Sequence, residues 1–219
     1  MPRGGSCARR EAWYSSAQGL KSTMALDDYV ESHTHSNPDA STISEVIDRS
    51  LTQSGESLVQ LSGALPVMLV FLRHAGCSFC REALGDIAGS RLAIEQSGVR
   101  IVLVHMGDTE ALRSLLDRHG LARLDRICDP SQELYRAFGL KQGTFQQLFG
   151  LKVLLRGFLG GVLVRCGLGR VVDDSRQMPG VFLIDKSAII RRFRHRTAAD
   201  RPDYIKFCLP DSLPVRSQP

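Results

Sequence analysis

The stretch PVMLVFLRHAGCSFCREALG, residues 66–85, carries a strand, a turn and the start of a helix. Val67 to Leu72 is an unbroken apolar run opened by Pro66. It is short and rich in branched residues, so it reads as a buried strand. After Arg73-His74-Ala75-Gly76 the period changes, and Leu84, Ile87, Ala88 and Leu92 recur at helical spacing. Cys77 and Cys80 therefore stand where a central strand hands over to a helix N-terminus. Unpaired backbone N–H groups and the positive end of the helix dipole favour a thiolate there. This is the recipe for a redox-active dithiol.

Composition places the chain among ordinary globular proteins. Its 219 residues are enough for one domain with tails or an insertion, and 43% apolar and 23% charged residues exclude wholesale disorder or a fibrous fold. The formal charge of +5 is spread along the chain without aromatic-interleaved basic clusters, so nucleic acid is not an expected partner. No segment reaches the roughly eighteen uninterrupted apolar residues of a membrane span. Leu151 to Leu168 comes nearest and is broken by Lys152, Arg156, Arg165 and glycines. Of the cysteines at 7, 77, 80, 128, 166 and 208, only 77 and 80 are motif-spaced, which points to a reducing, cytoplasmic setting.

Outward from the dithiol, residues 1–40 are polar and aperiodic and read as a flexible extension. Their basic bias faintly resembles a transit peptide, and Met24 is a plausible alternative start. His33 and His35 lack metal-binding partners in the pattern. The domain is expected over 41–219. A helix from Ser41 carries Ile43, Val46, Ile47 and Leu51, with Ser41 or Thr42 as cap and Gly55 as its end. The dithiol helix should run to about Gly98. Ile101 to Val104 read as a strand, and a helix with Leu112, Leu115 and Leu116 follows, capped by Asp108 or Thr109 and stopped by Gly120. A strand over Leu124 to Ile127 leads to a helix with Asp129 as N-cap, Pro130 as first residue and Gln132 as reciprocal partner.

Residues 141–177 read as a helical, then glycine-rich, insertion with Phe145, Leu148, Phe149, Leu151, Leu154, Leu155 and Phe158 on one face. Val181 to Ile184 and Ala188 to Phe193 form a hairpin whose second strand sets Ile189, Arg191 and Phe193 against Ile190, Arg192 and Arg194. Its arginines are expected on a solvated face. The tail from Thr197 is mostly polar, with a short apolar patch at Tyr204 to Leu209. Strand–helix alternation followed by a hairpin predicts an α/β open sheet with the thiols at the C-terminal end of a central strand.

A single CxxC admits three chemistries. A tetrahedral zinc site needs two further ligands at fixed spacing, and Cys128, Cys166 and Cys208 are isolated. Two buried structural cysteines are the bland reading, but Gly76 and Ser78 beside Cys77 mark a loop. The redox reading is preferred. Cys77, ahead of the helix, is expected as nucleophile and Cys80, in its first turn, as resolving thiol. Arg73 and His74 are candidate sources of positive potential, with a backbone-capping role as the alternative for His74. No role is assigned to Cys7, Cys128, Cys166 or Cys208.

HAGCSFCREAL, ICDPSQELYRAFGL, QMPGVFLIDKSAII and HRTAADRPDY together resemble the thioredoxin-like, peroxiredoxin-related proteins of the alkyl hydroperoxide reductase/thiol-specific antioxidant and selenoprotein-L-related type. The resemblance covers roughly residues 41–206. It implies a thioredoxin-like α/β fold, a central mixed sheet flanked by helices, with the insertion before a strand opened by cis Pro179. Such a bond would present the Met178 backbone to an incoming disulfide; a trans proline at a strand start is the alternative. Peroxiredoxins also carry a proline seven residues and a Thr or Ser three residues before the peroxidatic cysteine, where this chain has Val70 and His74.

The expected activity is thiol–disulfide exchange through Cys77 and Cys80, supported by Arg73, His74, Met178 and Pro179. No cofactor beyond the redox-active disulfide is implied. The expected partners are a thioredoxin- or glutathione-type reductant and a disulfide or hydroperoxide substrate, and a homodimer is left open. Peroxidase chemistry by the same pair, or a non-enzymatic thioredoxin-like interaction domain docking through 141–170, are the alternatives.

Overall fold

Strand β1 (Val67–Phe71) is buried along its whole length because it lies at the centre of a five-stranded sheet. A computed structural model describes residues 40–107, 109–144 and 176–209, with positions 147, 148, 150, 151, 153 and 155 between. The N-terminal extension, Asp108, Cys7, Cys166 and most of the insertion lie outside the described residues.

In chain order the elements are α1 (Ala40–Arg49), α2 (Leu58–Ala64), β1, α3 (Ser78–Gln96), β2 (Arg100–His105), α4 (Glu110–Arg118), β3 (Asp125–Cys128), α5 (Glu133–Ala137), β4 (Gly180–Asp185), β5 (Ala188–Arg194) and α6 (Tyr204–Phe207). The sheet order is β3-β2-β1-β4-β5, with β1, β2 and β3 parallel and β4 and β5 antiparallel to their neighbours. This is the expected thioredoxin-like mixed sheet.

Alternation along the strands splits the core in two. Met68, Val70, Ile101 and Leu103 face one side, under α3, α4 and α6. Val67, Leu69, Phe71, Val102 and Val104 face the other, under α1, α2 and α5. There Phe71 packs against Tyr135, Phe138 and Phe182 with ring centroids 5.0–5.5 Å apart. Truncating one such ring to Ala would cost about 3–5 kcal/mol.

Several local expectations hold. The Thr109 hydroxyl caps α4 by accepting from the Leu112 N–H, and α3 ends beside Gly98, whose φ is +80°. Others do not. Helix α1 begins at Ala40, so Ser41 and Thr42 are inside it, and it ends at Arg49 rather than Gly55. Leu51 then bridges Ser57, and the unanticipated α2 starts with a capping box between Ser57 and Gln60. Asp129 does cap α5, but from further back. Its carboxylate accepts from the N–H groups of Glu133, Leu134 and Tyr135. Gln132 stands at the N-cap position in a left-handed conformation and makes no side-chain cap bond.

The hairpin corrects the expected facing of β5. Leu183 pairs with Arg191 but Ile184 pairs with Ile189, so a bulge leaves Ile190 unmatched. A bulge reverses the alternation. Ile189 therefore packs on the Phe71 side while Ile190 and Phe193 pack on the Met68 side. Both turn residues, Lys186 and Ser187, have positive φ, as a two-residue hairpin turn of matching twist requires. Their N–H groups are held by the Ser62 carbonyl and hydroxyl.

Arg194 is not on a solvated face. It donates twice to the Phe138 carbonyl and lies over the Phe182 ring. The segment after Thr197 is not a loose tail either, because Ala198, Ala199, Tyr204, Phe207 and Cys208 are buried. In the insertion, Leu148 and Val153 are buried, whereas Leu151 and Leu155 of the expected apolar face are exposed.

Candidate active site

The site begins where β1 stops. The Leu72 N–H still donates to the Val104 carbonyl, and the Tyr135 hydroxyl donates to the Leu72 carbonyl (2.5 Å) and the Val104 carbonyl (3.1 Å). Tyr135, fully buried, thus holds the strand end just before the chain turns. Its phenol needed a partner once its ring entered the core. The buried register of Leu134, Tyr135 and Phe138 was the available signal for it.

The Cys77 N–H donates to the His74 carbonyl at 3.1 Å, closing the His74–Cys77 turn. Cys77 is the N-cap residue of α3 in extended conformation, and Cys80 lies in the first turn. Neither is in a disulfide, and both are buried. Arg73, only 5% exposed, spans from β1 to the dithiol. Its Nη1 donates to Cys77 Sγ at 3.3 Å and its Nε to the Gln177 carbonyl at 3.0 Å.

These contacts set opposite acidities. The hydrogen bond from the Cys80 thiol lowers the Cys77 pKa most, and the Arg73 charge and the N–H groups of Phe79 and Cys80 lower it further. They outweigh burial, and Cys77 falls to about 6. Cys80 is pushed up, because it gives its proton to the Cys77 hydrogen bond and is buried beside a thiolate. At neutral pH the pair is a thiolate and a thiol.

His74 does not supply positive potential. Burial, then the charges of Arg73 and Arg81, lower its pKa to about 4, so the ring is neutral. It is 8% exposed, and its Nδ1 is buried without a hydrogen-bond partner. The carbonyl of His74, not its ring, serves the local turn.

The Met178–Pro179 bond is trans, contrary to the cis expectation. Pro179 opens β4 at the strand start, where its missing N–H breaks no ladder bond. The Met178 N–H already donates to the Lys141 carbonyl at 3.2 Å, so no backbone donor is offered to an incoming disulfide. The Met178 side chain packs with Leu148, Ala198 and Phe79. Gly180 leaves room for its neighbours, since a Cβ there would lie 2.7 Å from Leu140 Cδ2 and 3.0 Å from Phe182 Cε2 and would push those side chains aside. A cleft lined by Arg73, Phe79, Cys80, Pro179, Ala198 and Tyr204 flanks the Cys80 thiol on this side. A second, on the other side, is lined by Arg73, His74, Cys80, His105 and Leu112. The structure thus gathers Arg73, His74, Cys77 and Cys80 at one strand–helix junction, with Pro179 across the first cleft.

The remaining described cysteines lie elsewhere. Cys128 is exposed at the end of β3, and Cys208 packs with its Sγ 3.5 Å from Met68 Sδ, where burial pushes its thiol up to about 12. Among the described residues no helix is long and apolar enough to cross a membrane.

No curated protein matches the chain in sequence. Among solved structures, a mutant of peroxiredoxin 6 from Arenicola marina superposes with a TM-score of 0.52 at 10% identity, covering 74% of this chain and 67% of that one. Peroxiredoxin Q from Xanthomonas campestris gives 0.47 at 13% identity, covering 69% and 83%. The thioredoxin domain of a thiol-disulfide oxidoreductase from Bacteroides vulgatus gives 0.40 at 14% identity, covering 65% and 80%. The first of these likenesses establishes the fold. The AhpC/TSA family model matches residues 45–193, more than half of the chain, from within α1 to the penultimate residue of β5, a stretch that holds the dithiol. The chain belongs to the AhpC/TSA family, oxidoreductases of thioredoxin-like fold.

Proposed function

We propose that this protein is a two-cysteine thiol peroxidase in which Cys77 attacks a hydroperoxide and Cys80 resolves the product. The observation that carries the reading is the Arg73 guanidinium 3.3 Å from Cys77 Sγ at the N-terminus of α3, with a protonated Cys80 in the same turn. Cys77 thiolate attacks the terminal peroxide oxygen, the O–O bond breaks, and the departing alkoxide takes a proton to leave as the alcohol. Cys77 becomes a sulfenic acid. The Cys80 sulfur then attacks Cys77, its proton leaves with the sulfenic hydroxyl as water, and a Cys77–Cys80 disulfide forms. A thioredoxin- or glutathione-type thiol returns two electrons and two protons.

His74 occupies the position where peroxiredoxins carry a Ser or Thr hydroxyl. Its neutral ring and unpartnered buried Nδ1 support a role as hydrogen-bond partner of the hydroperoxide. Pro179 contributes apolar walling rather than a backbone platform, with Met178 packed behind it against Phe79 and Ala198. That change of role, with the Met178 N–H already engaged, is why hydroperoxide is favoured here over the disulfide substrate expected from the sequence.

Stopped-flow mixing of the reduced protein with hydrogen peroxide and, separately, with oxidised glutathione separates the readings. The proposal expects peroxide to oxidise Cys77 orders of magnitude faster than free cysteine. Peroxide reaction no faster than free cysteine would overturn it. Rapid exchange with the disulfide would then restore thiol–disulfide oxidoreduction, and inertness to both would leave the interaction domain.

A further inference from the structure

The Arg73 guanidinium bridges two parts of the chain that are far apart in sequence, and its far end is held by a residue the dithiol motif does not contain. Gln177 is 2% exposed. Its carbonyl accepts from Arg73 Nε at 3.0 Å. Its own side-chain amide donates to the Leu140 carbonyl and to the Met178 carbonyl, each at 3.2 Å. Its backbone also forms an antiparallel bridge with Gln142, flanked by the Gly143 N–H donating to Arg176 and the Met178 N–H donating to Lys141. The Gln177 peptide is thus fixed from several directions, with its carbonyl turned to Arg73.

An arginine held at one end only can swing its charge by several ångströms, because its stem has many rotamers. A planar guanidinium with its Nε bound to a fixed acceptor has its plane and reach set, and its Nη1 then meets Cys77 Sγ. Sequence distance hid this: Gln177 lies 104 positions from Arg73.

We propose that Gln177 is a positioning residue for the dithiol: by locking its own peptide, it holds the Arg73 guanidinium against Cys77 and so helps to set the acidity of the nucleophile. The inference rests on the role given to Cys77 above. Among the described contacts Gln177 reaches the dithiol through Arg73.

The test is the pH midpoint of Cys77 alkylation by iodoacetamide, read on the Cys77 peptide by mass spectrometry in the full chain. A merely structural role would not move this midpoint in a folded variant. Arg73→Met is expected to raise it, and Gln177→Met, which keeps the size and loses both amide donors, should raise it by about one pH unit. The double variant should titrate no higher than Arg73→Met alone, because the two changes remove one effect. Should Gln177→Met fail to fold, Arg73→Lys examines the same contact from the other side. Lysine keeps the charge but has no Nε donor for the Gln177 carbonyl, and its midpoint should lie nearer to Arg73→Met than to the wild type.

The inference is overturned if a folded Gln177→Met, or Arg73→Lys, titrates with the wild type while Arg73→Met titrates higher. If Arg73→Met also titrates with the wild type, this inference fails together with the Arg73 contribution to the proposed function. Those two failures are therefore distinguishable.

Discussion

Replacing Cys80 separates two tasks the proposal gives it, lowering the Cys77 pKa and resolving the oxidised product. The Cys80 thiol hydrogen bond is the largest influence lowering Cys77 to about 6. A hydrogen bond to a charged group is worth about 1.5–3 kcal/mol, or roughly one to two pH units in the acceptor. Cys80→Ala removes the donor and should carry the Cys77 midpoint to about 7–8. Cys80→Ser keeps an O–H donor and should stay near the wild-type midpoint. The thiolate fraction at neutral pH would fall from about nine-tenths to between a half and a tenth in the Ala variant. Its rate at neutral pH is a poor readout, since nucleophilicity rises with pKa at a Brønsted slope of about 0.4–0.5 and offsets much of the loss. The assay is therefore the full pH profile of alkylation, followed by peroxide treatment. Both variants should stall at the sulfenic acid and overoxidise, because neither can form the disulfide. If Ala and Ser variants share the wild-type midpoint, the account of Cys77 acidity is refuted.

Asp129→Ala should destabilise the fold by about 1–3 kcal/mol in urea unfolding, because the N–H groups of Glu133, Leu134 and Tyr135 lose one shared acceptor, and Asp129→Asn should recover part of that. Tyr135→Phe should cost about 1–2 kcal/mol by the same measurement, since the Leu72 and Val104 carbonyls lose their hydroxyl donor at the end of β1. His74 titrates at about 4 in the folded chain and near 6.5 when unfolded. The unfolded chain therefore binds a proton that the folded chain refuses, and stability is lost as pH falls through that window. The loss is about 1–2 kcal/mol after allowing for solvent screening, and His74→Gln should abolish that part of the pH slope in urea unfolding.

The central sheet and the dithiol junction were legible because both rest on local pattern. A short apolar run, a cysteine pair and a helical period place Cys77 and Cys80 without knowledge of anything distant. Helix α2 carries a local mark as well, since Ser57-x-x-Gln60 is a capping-box signature, but seven residues leave little periodicity beyond it. The facing of β5 was hidden because a bulge is set by its partner strand. The neutrality of His74 depends on burial and on two neighbouring guanidinium groups, which no spacing rule contains. Proline's cis or trans state at Met178–Pro179 is decided by the surrounding backbone bonds, so the family resemblance misled there. The sequence marks Arg73 only as nearby charge. Its hold on Cys77 runs through Gln177, a contact between residues 73 and 177 that is visible only in the folded chain.

The most direct measurement is a single turnover: reduced protein mixed with one equivalent of hydroperoxide, remaining thiols blocked, and the cysteine peptides mapped. The account predicts a Cys77–Cys80 disulfide formed as the peroxide disappears, and a sulfenic acid on Cys77 when Cys80 is replaced by Ser. Recovery of Cys77 and Cys80 both unoxidised, with the peroxide unconsumed or the oxidation borne by Cys128, would contradict it.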